Sequence, residues 1–500
     1  MKAPNILLIM ADQLAPQFTG AYGHSVVKTP HLDALAARGM RFDAAYCNSP
    51  LCAPSRFSFM SGQLISKIGA YDNASEFPAS IPTFAHYLKS LNYSTCLSGK
   101  MHFVGPDQMH GFENRVTTDI YPSDFAWTPD WEQADQRIDK WYHNMQTVKE
   151  SGVTMASFQI DYDDEVEFTA KRKLFDYARD GTKPWCLVAS FIHPHDPYVA
   201  RPEWWNLYND DDIDMPHNPD YATDPFGKRI LEGIETNSKP LTEEETRRAR
   251  RAYYANVSYF DSKIGALVQA VEEMGQLDNT IIIVTADHGD MLGEKGLWYK
   301  MNFFEHAARV PLIIAGPGVA RGRTTNACSL VDLLPTMVDI GGGTAEMFGA
   351  PVDGRSLMPL ARGEDDEVSE AIGEYCAEMT GHPVFMIRRG DLKYIHCDSD
   401  PPQLYDLSND PWECANLVEK SAYADIVDGF AKEVEKRWDS VVLRQKIIDS
   451  QKSRFALNAA MQAGACEHWD YNPPSEAAHK YVRNHMDWTV VADRFRFPPV

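Results

Sequence analysis

The chain has 500 residues, which is long enough for one large core and a smaller appended domain. Hydrophobic residues make up 44% and charged residues 24%, an ordinary globular composition, and the formal net charge is −23. This charge disfavours nonspecific binding to nucleic acid or to an anionic membrane surface, so any site for an anion must assemble its positive potential locally.

The cysteines and the N-terminus bear on the cellular compartment. The nine cysteines are scattered singly, with no C-x-x-C pair, which is typical of a reducing compartment rather than of a disulfide framework. We interpret all of them except one, Cys52, as buried small hydrophobic residues. The apolar run at 6–10 is too short for a signal-peptide core, and no stretch approaches the length of a membrane span. We therefore expect a cytoplasmic protein with no membrane or nucleic-acid partner.

Apolar runs typical of buried strands alternate with amphipathic helices along the first 370 residues. We predict strands at 6–10, 94–98, 185–192, 280–285 and 310–315, and helices at 30–38, at about 82–91 and after residue 242. The last helix is the clearest, because Thr242 and Glu245 form a capping box and apolar residues then recur at spacings of four and three. The alternation predicts an α/β sandwich around a large, mostly parallel sheet.

The character of the sequence changes near residue 370. Short β-like runs at 384–388 and 393–397 are joined by polar turns, and a helical stretch follows from about 422 to 448. The last fifty residues are rich in aromatics and prolines, so we expect them to pack on their own body or on a neighbouring subunit. We predict a catalytic domain over 1–369, a smaller C-terminal sheet-and-helix domain over 370–450, and an extended tail over 451–500.

Polar side chains follow the predicted strands, and in such sheets ligands bind at the carboxyl ends of the strands. A single loop carboxylate is more often a cap or a turn former, so only the combination is informative. Two carboxylates and an imidazole at strand ends compose a metal site. Oxygen ligands favour Ca²⁺, whereas the imidazole also admits Mn²⁺. The residues that follow strands are Asp12, Lys100, His102, His193, His195, Asp287 and His288, of which we interpret His193 as structural.

The pentapeptide Cys52-Ala-Pro-Ser-Arg56 is the most informative motif in the chain. Pro54 stands where the first position of a helix is expected, so Cys52 lies at a helix N-terminus, where backbone amides and the helix dipole favour an anion. Arg56 follows one turn later. The alternative, a buried cysteine before an ordinary helix, is weakened by the polar residues at the strand ends.

These residues resemble the formylglycine-dependent sulfatases of the alkaline-phosphatase-like superfamily, whose C-x-P-x-R signature directs oxidation of the cysteine to formylglycine. The similarity covers nearly the whole chain and is greatest to the choline sulfatase branch, including its C-terminal tail. The phrases that look like that branch are Ser98-Gly-Lys-Met-His102, His193-Pro-His-Asp-Pro-Tyr198 and Leu297-Trp-Tyr-Lys-Met-Asn302.

The sequence departs from many sulfatases at two positions. Gln13 stands beside Asp12, where a second acid is common, and His288 follows Asp287, where asparagine is common. Both replacements match the choline sulfatase and phosphonate monoester hydrolase branches. In the tail, an acid is expected to reach a neighbouring pocket, and the only acids after residue 484 are at positions 487 and 493.

The resemblance implies a role for each candidate residue. Lys100 and Lys300 bind sulfate oxygens, His102 lies near the formylglycine hydroxyls, and His195 lies near the leaving oxygen. The implied catalytic residues are Cys52, Arg56, Lys100, His102, His195 and Lys300. The implied metal ligands are Asp12, Cys52, Asp287 and His288. The positions that match the choline end of the pocket are Asn73, Tyr121, Trp127, His143 and Asn144, although tryptophan and tyrosine are mostly packing residues.

The implied reaction is hydrolysis of a sulfate monoester, with choline O-sulfate as the first expectation, by a formylglycine hydrate and one divalent metal, Ca²⁺ before Mn²⁺. One alternative is a phosphonate monoester or phosphodiester hydrolase, and another is an aryl or alkyl sulfatase of broader specificity. A noncatalytic binder follows if Cys52 is never converted. The expected partners are a small-molecule sulfate ester, a formylglycine-generating enzyme that acts transiently, and further copies of the chain in a homodimer or homotetramer.

Overall fold

A computed structural model describes residues 3–134, 142–217, 224–364, 366–465 and 468–498. Its centre is an eight-stranded mixed sheet in which neighbouring strands pair in parallel, except that Leu312–Ala315 runs antiparallel to both of its neighbours. The predicted large, mostly parallel sheet is thereby confirmed. In order across the sheet, the strands are Gly322–Thr324, Met40–Phe42, Leu312–Ala315, Thr280–Ala286, Asn5–Asp12, Trp185–Pro194, Ser94–Gly99 and Asn114–Arg115.

The three central strands are buried along their whole length, which explains their nearly continuous apolar sequences. Helices cover both faces of a sheet of this kind. The long helix Glu243–Glu273 begins with the predicted capping box, in which Glu245 N donates to Thr242 Oγ1 over 3.1 Å and Thr242 N donates to Glu245 Oε2 over 2.8 Å. The other helices before residue 370 are Pro30–Arg38, Cys52–Ser61, Ile65–Ile68, Phe84–Ser90, Gln146–Lys149, Phe158–Asp180, Pro202–Trp205, Pro225–Gly233, Glu305–Ala308, Leu333–Ile340 and Met358–Ala361.

A second, antiparallel sheet follows in the C-terminal part of the chain. Two helices cover it, Ala424–Arg437 and Ser440–Met461, so the single helix predicted from about 422 to 448 is wrong. The break falls at Trp438, which is extended, and Asp439 then accepts from Val442 N and caps a new helix. The strands of this sheet, in order, are Glu370–Tyr375, Val384–Arg389, Leu392–Cys397 and Asp400–Asp406.

The second sheet is joined to the main body by a buried ion pair. Lys393 Nζ donates to Glu305 Oε1 over 3.0 Å and to the carbonyl oxygen of Phe303 over 2.7 Å, and it also pairs with Glu413. Removing one partner from such a group leaves an uncompensated buried charge, so the arrangement strongly favours one relative placement of the two sheets. This placement brings the residues that follow Tyr375 towards the carboxyl edge of the main sheet.

The tail packs on its own chain, mainly along the helix Phe158–Asp180. Arg179 Nη1 donates to the carbonyl oxygen of Phe495 over 3.1 Å, and the rings of Phe175 and Phe497 lie 5.8 Å apart. The tail helix Trp488–Phe495 has no buried residue, and the Trp488 side chain is 71% exposed. A large apolar side chain in this position leaves a surface that a second copy can cover. A short helix, Ala477–Lys480, precedes it.

Two expectations from the sequence, one about cysteine burial and one about membrane-spanning segments, can be compared with the structure. All described cysteines are buried except Cys414, so the expectation that every cysteine other than Cys52 is buried is wrong at that position, and Cys466 lies outside the described residues. Cys414 is exposed because it lies in the surface segment between the second sheet and its helices. None of the helices in the described residues combines the length and the apolar character needed to span a bilayer.

Candidate active site

Four adjacent parallel strands bring the predicted polar residues to one edge of the main sheet. Asp12 ends Asn5–Asp12, and Asp287 follows the neighbouring strand Thr280–Ala286. On the other side of Asn5–Asp12, His195 follows Trp185–Pro194 and Lys100 follows Ser94–Gly99. Because the strands run in the same direction, their carboxyl ends meet, and all four side chains are buried there.

Asp12, Cys52, Asp287 and His288 form a cluster whose ligand-type atoms all lie within 4.8 Å of one another. Cys52 Sγ is 3.3 Å from His288 Nε2, and His288 Nε2 is 3.9 Å from Asp12 Oδ1 and 3.7 Å from Asp287 Oδ2. Burial raises the pKa of Asp287 to about 6, and the charge of Asp12 adds to this effect. Two buried carboxylates that repel each other around an imidazole fit a bound divalent cation, which would relieve the repulsion.

Arg56 lies behind the carboxylates rather than in the open space of the site. Its Nε donates to Asp287 Oδ2 over 2.8 Å and its Nη2 to Asp12 Oδ2 over 3.0 Å, while Nη1 donates to Ser190 Oγ over 2.8 Å. Lys100 Nζ also donates to Asp12 Oδ2. Burial alone would raise the pKa of Asp12, but Lys100, His195 and Arg56 outweigh it and hold this pKa well below its usual range. The carboxylate is therefore kept ionised and oriented.

Cys52 is the first residue of the helix Cys52–Ser61, so the prediction that it lies at a helix N-terminus agrees with the structure. The helix starts two residues before Pro54 rather than at it, because Leu51 takes the extended conformation of an N-cap. Leu51 has no side chain able to cap the amides, and Asn73 Oδ1 accepts from Ala53 N over 3.0 Å instead. Burial raises the pKa of the Cys52 thiol to about 11, and Asp12 adds to this effect.

Gln13 has a structural role that the sequence did not reveal. Its φ of 66° lies in the left-handed region, which is rare for a residue other than glycine. Its Nε2 donates to Asp290 Oδ2 over 2.7 Å, and its Oε1 accepts from Lys300 Nζ over 2.6 Å. Asp290, which belongs to the same acidic motif as Asp287, therefore supports Gln13 and lies outside the metal-type cluster. An amide is suited to this position because it accepts from a cation and donates to an acid.

His195 and Lys300, which are both buried, contact each other. Lys300 Nζ is 3.0 Å from His195 Nε2, and an ammonium has no lone pair, so Nε2 accepts. The ring proton then lies on Nδ1, which is 2.7 Å from the carbonyl oxygen of Asp196. Burial lowers the pKa of His195 to about 3, and Lys300 lowers it further. His195 is therefore neutral, with its orientation fixed from behind.

His102 has a strained backbone and an unpaired ring. Its φ is 59°, and its amide donates to Asp119 Oδ2 over 2.8 Å. Within the described part of the chain, neither ring nitrogen has a hydrogen-bond partner, although the ring is buried. Burial lowers the pKa of His102 to about 3, with Lys100 contributing, so the ring is neutral and can accept a proton. Strain combined with an unpaired buried group is typical of a functional position.

A cavity of about 370 Å³ opens from Cys52, and all five residues predicted for the choline end line it. The rings of Tyr121 and Trp127 lie 5.2 Å apart. His143 stacks on Tyr299, and Asn73 and Asn144 complete the predicted set. The lining also includes Cys52, Tyr142, Thr147, Phe158, Gln159, His195, Asp196, Pro197, Lys300 and Glu378.

Glu378 is the functional candidate that sequence reasoning missed. It comes from the second sheet, three residues after the strand Glu370–Tyr375, and is only 4% exposed. Its Oε2 has no hydrogen-bond partner among the described residues. Burial raises its pKa to about 7. No motif marks a glutamate in a β-rich region 326 positions after Cys52, and only the packing of the two sheets places it in the cavity.

The fold and the cluster define a class of protein. In solved structures, the phosphonate monoester hydrolase of Agrobacterium radiobacter superposes with a TM-score of 0.71 at 23% identity, covering 89% of this chain and 96% of that one. This likeness shows the alkaline-phosphatase-like fold, as predicted.

The sequence comparisons narrow the class to a family. The sulfatase family profile matches residues 4–343, the profile of the choline sulfatase enzyme C terminal matches 445–497, and that of the N-sulphoglucosamine sulphohydrolase C-terminal region matches 293–439. A choline-sulfatase of Rhizobium meliloti (strain 1021) is 45% identical, covering 99% of this chain and 98% of that protein. An arylsulfatase of Clostridium perfringens is 28% identical, covering 86% of this chain and 93% of that protein. The chain belongs to the sulfatase family, with the choline sulfatases among its relatives, and is a sulfuric ester hydrolase.

Proposed function

We propose that this enzyme hydrolyses choline O-sulfate to choline and sulfate. The observation that carries the proposal is the chemistry of the cavity lining, in which aromatic rings occur together with a buried carboxyl group, one of whose oxygens has no hydrogen-bond partner among the described residues. A trimethylammonium group donates no hydrogen bond, so aromatic faces and an anionic oxygen are the groups that bind it. Trp127, Tyr121 and Glu378 supply them. The 45% identity with a choline-sulfatase supports the same substrate.

The cofactors we propose are one divalent metal and a formylglycine made from Cys52. Asp12, Asp287, His288 and residue 52 would hold the metal, and the two carboxylates favour Ca²⁺, with Mn²⁺ as the alternative. When bound, the metal supplies Lewis-acid stabilisation of negative charge, and formylglycine supplies a hydrated aldehyde with two hydroxyls on one carbon. Cys52 is buried in the folded chain, so a formylglycine-generating enzyme must act before this helix packs.

The protein's own side chains carry the other roles in the reaction. With residue 52 as formylglycine, one hydroxyl of its hydrate would supply the attacking oxygen after losing its proton, and Lys100 and Lys300 would stabilise charge on the sulfuryl oxygens. His195 and Lys300 hold a proton between Nε2 and Nζ, 3.0 Å apart, and deliver it to the leaving alcohol oxygen. His102, whose ring is neutral and has no hydrogen-bond partner among the described residues, would accept the proton of the second hydroxyl, which would allow the carbon–oxygen bond to sulfate to break and the aldehyde to re-form. Arg56 keeps the two carboxylates ionised and in place.

A phosphonate monoester or phosphodiester hydrolase is the second candidate, favoured by the likeness to the Agrobacterium radiobacter structure and by the pairs Asp12-Gln13 and Asp287-His288. An aryl or alkyl sulfatase of broader specificity is the third, and it fits the arylsulfatase relative. A noncatalytic binder follows only if Cys52 stays a thiol, since a thiol with a pKa near 11 is almost entirely protonated at neutral pH.

A substrate panel on enzyme of known conversion state tests the proposal. Mass spectrometry of the tryptic peptide that contains residue 52 first measures the fraction converted to formylglycine. The converted enzyme is then assayed with choline sulfate and with its isostere 3,3-dimethylbutyl sulfate, in which a neutral carbon replaces the ammonium nitrogen. An aryl sulfate and a methyl phosphonate monoester complete the panel. We expect the highest kcat/KM for choline sulfate. Equal rates for choline sulfate and its isostere, or a preference for the phosphonate, would refute the assignment.

We also propose a cytoplasmic homodimer or homotetramer in which the tail contributes to assembly. The apolar side chains that the tail helix leaves exposed, Trp488 and Val490, support this proposal. Deleting the chain from Asp470 onward should lower the oligomeric state measured by light scattering. A truncated protein with unchanged mass and full activity would contradict it.

A further inference from the structure

One arginine from the helix Ser440–Met461 is buried beside the active-site cavity. Arg454 is only 4% exposed and makes a two-pronged salt bridge with Asp72, in which Nη1 and Nη2 donate to Oδ1 and Oδ2, each over 2.7 Å. Asp72 is completely buried. Paired charges in this geometry are much stronger than surface ion pairs, and each is costly to leave alone. No step of the proposed reaction uses either residue.

The guanidinium joins two loops that line the cavity. Asp72 precedes Asn73, whose side chain caps Ala53 N at the start of the Cys52 helix. Arg454 Nη1 also donates to Thr128 Oγ1 over 3.1 Å, and Thr128 follows Trp127 directly. Asn73 and Trp127, which both line the cavity, thus lie on two loops that the Arg454 side chain connects. A loop held by one strong contact loses its geometry when that contact is removed.

The same ion pair neutralises a charge beside Glu378. The charged groups that face Glu378 are Asp72, which raises its pKa, and Lys300, which lowers it, while the Tyr375 hydroxyl donates to its backbone carbonyl over 2.9 Å. With Arg454 in place, Asp72 is compensated. Without Arg454, the full negative charge of Asp72 would act on Glu378 and favour its protonated form.

We propose that Arg454 is a positioning residue that gives the enzyme its selectivity for a cationic leaving group, by fixing the Asn73 and Trp127 loops and by compensating Asp72. The inference rests on the proposed function. It assigns to the helix Ser440–Met461 a part in substrate choice through contacts within a single chain, independent of assembly.

The test compares Arg454→Met with the parent enzyme and with two further variants. Lys452→Met is the matched control, since Lys452 lies on the same helix, is 55% exposed and pairs with Glu132 at the surface. Asp72→Asn combined with Arg454→Met removes both buried charges together. For each protein and the parent, KM and kcat are measured from pH 6 to pH 8.5 for choline sulfate and for 3,3-dimethylbutyl sulfate.

We expect Arg454→Met to raise KM for choline sulfate by about tenfold or more, with a much smaller change for the isostere. The pH midpoint at which KM for choline sulfate falls should move upward in Arg454→Met. It should return towards the parent value in the double variant, because the side chain at position 72 is then a neutral asparagine. Lys452→Met should behave like the parent. If Arg454 had only a structural role, its replacement would reduce kcat/KM for both substrates equally and leave the pH midpoint of KM unchanged. That result would overturn the inference.

The parent enzyme separates failure of the inference from failure of the proposed function. If the parent does not prefer choline sulfate over its isostere, the substrate assignment is wrong. If the parent shows the preference and Arg454→Met retains it, the substrate assignment stands and Arg454 has no part in selectivity. If Arg454→Met is too unstable to assay, the double variant decides: a lost preference with an unshifted pH midpoint supports the loop contacts, and a retained preference overturns them.

Discussion

Replacing Glu378 by glutamine removes one negative charge from the cavity and keeps the size and shape of the side chain. The carboxyl is buried, and its Oε2 has no partner among the described residues, so the substitution breaks no described hydrogen bond of that oxygen. The proposed function makes this oxygen the counter-ion of the choline ammonium. The variant should therefore bind choline sulfate more weakly and leave the chemical step unchanged.

The size of the effect follows from the position of the group. A unit charge about 5 Å from the ammonium, at an effective dielectric constant of about 20, contributes about 3 kcal/mol. Because the pKa of Glu378 is about 7, only half of the molecules carry this charge at pH 7, which subtracts about 0.4 kcal/mol. The amide dipole of glutamine recovers a further part. We expect a net loss of about 2 kcal/mol, which corresponds to an increase in KM of about 30-fold.

The assay is KM for choline sulfate and for 3,3-dimethylbutyl sulfate between pH 6 and pH 8. In the parent, the ionised fraction of Glu378 increases as the pH rises through about 7, so KM for choline sulfate should fall over this range. This dependence should disappear in Glu378→Gln, and the isostere should show little of it in either protein. Burial raises the pKa of Glu378 above the pKa of a glutamate in the unfolded chain. The folded protein therefore loses stability as the pH rises from that unfolded pKa through about 7. Glu378→Gln has no such cost and should be no less stable than the parent at pH 8.

The result that would refute the reasoning is a Glu378→Gln enzyme whose preference for choline sulfate over the isostere equals that of the parent. A fall in kcat for both substrates, with KM unchanged, would also contradict it, because a counter-ion to the leaving group acts through binding. Thermal unfolding of both proteins at pH 8 provides the control for folding.

Three further predictions concern the nucleophile, the metal and the aromatic wall. Cys52→Ala should abolish turnover with the melting temperature retained, and Cys52→Ser should sulfate itself once and stall; sustained turnover by either, above host background, would exclude the mechanism. Asp287→Ala should lose bound metal and activity together, whereas His288→Asn should shift metal preference towards Ca²⁺; full metal occupancy in Asp287→Ala, measured by elemental analysis, would contradict the ligand set. Trp127→Ala should lose cation–π attraction of about 0.5 to 2 kcal/mol together with contact area, so the ratio of kcat/KM for choline sulfate to that for a neutral aryl sulfate should fall, and an unchanged ratio would remove Trp127 from the cation site.

The parts of the fold that the sequence predicted are those in which local pattern and burial agree. The strand at 280–285 is apolar from 281 to 284 and buried along its whole length, because both faces of the sheet are covered, and the capping box at Thr242 and Glu245 is a purely local signal. The helix predicted across Trp438 failed because a local break needs only one extended residue and a following cap, and apolar spacing does not report either. The strand at 310–315 was predicted, but the antiparallel direction of Leu312–Ala315 has no signature in its own residues.

The candidate site likewise contains residues that the sequence predicted and residues that only the structure reveals. Asp12, Lys100, His195 and Asp287 can be grouped from the sequence alone, because parallel strands carry their ends to one edge. The function of Gln13 as a bridge between Lys300 and Asp290 depends on a left-handed backbone conformation that no pattern encodes. Glu378 reaches the cavity, and Arg454 reaches the loops beside it, only through packing of the C-terminal part of the chain on the main body; Arg454 and Asp72 are 382 positions apart in sequence. Long-range placement of this kind leaves no periodicity behind.

The separation of Asp72 from Arg454 has a consequence for synthesis of the protein. The two residues are 382 positions apart, and at a typical translation rate the ribosome needs roughly 20 to 75 s to travel from one codon to the other. During that time, Asp72 has no guanidinium to pair with, and burying a lone carboxylate is unfavourable, so the loop at 71–75 stays hydrated. The loop closes only when the helix Ser440–Met461 leaves the ribosome. A nascent chain that stops short of that helix therefore keeps its substrate cavity open on one side, and the cavity becomes complete only when translation is nearly finished.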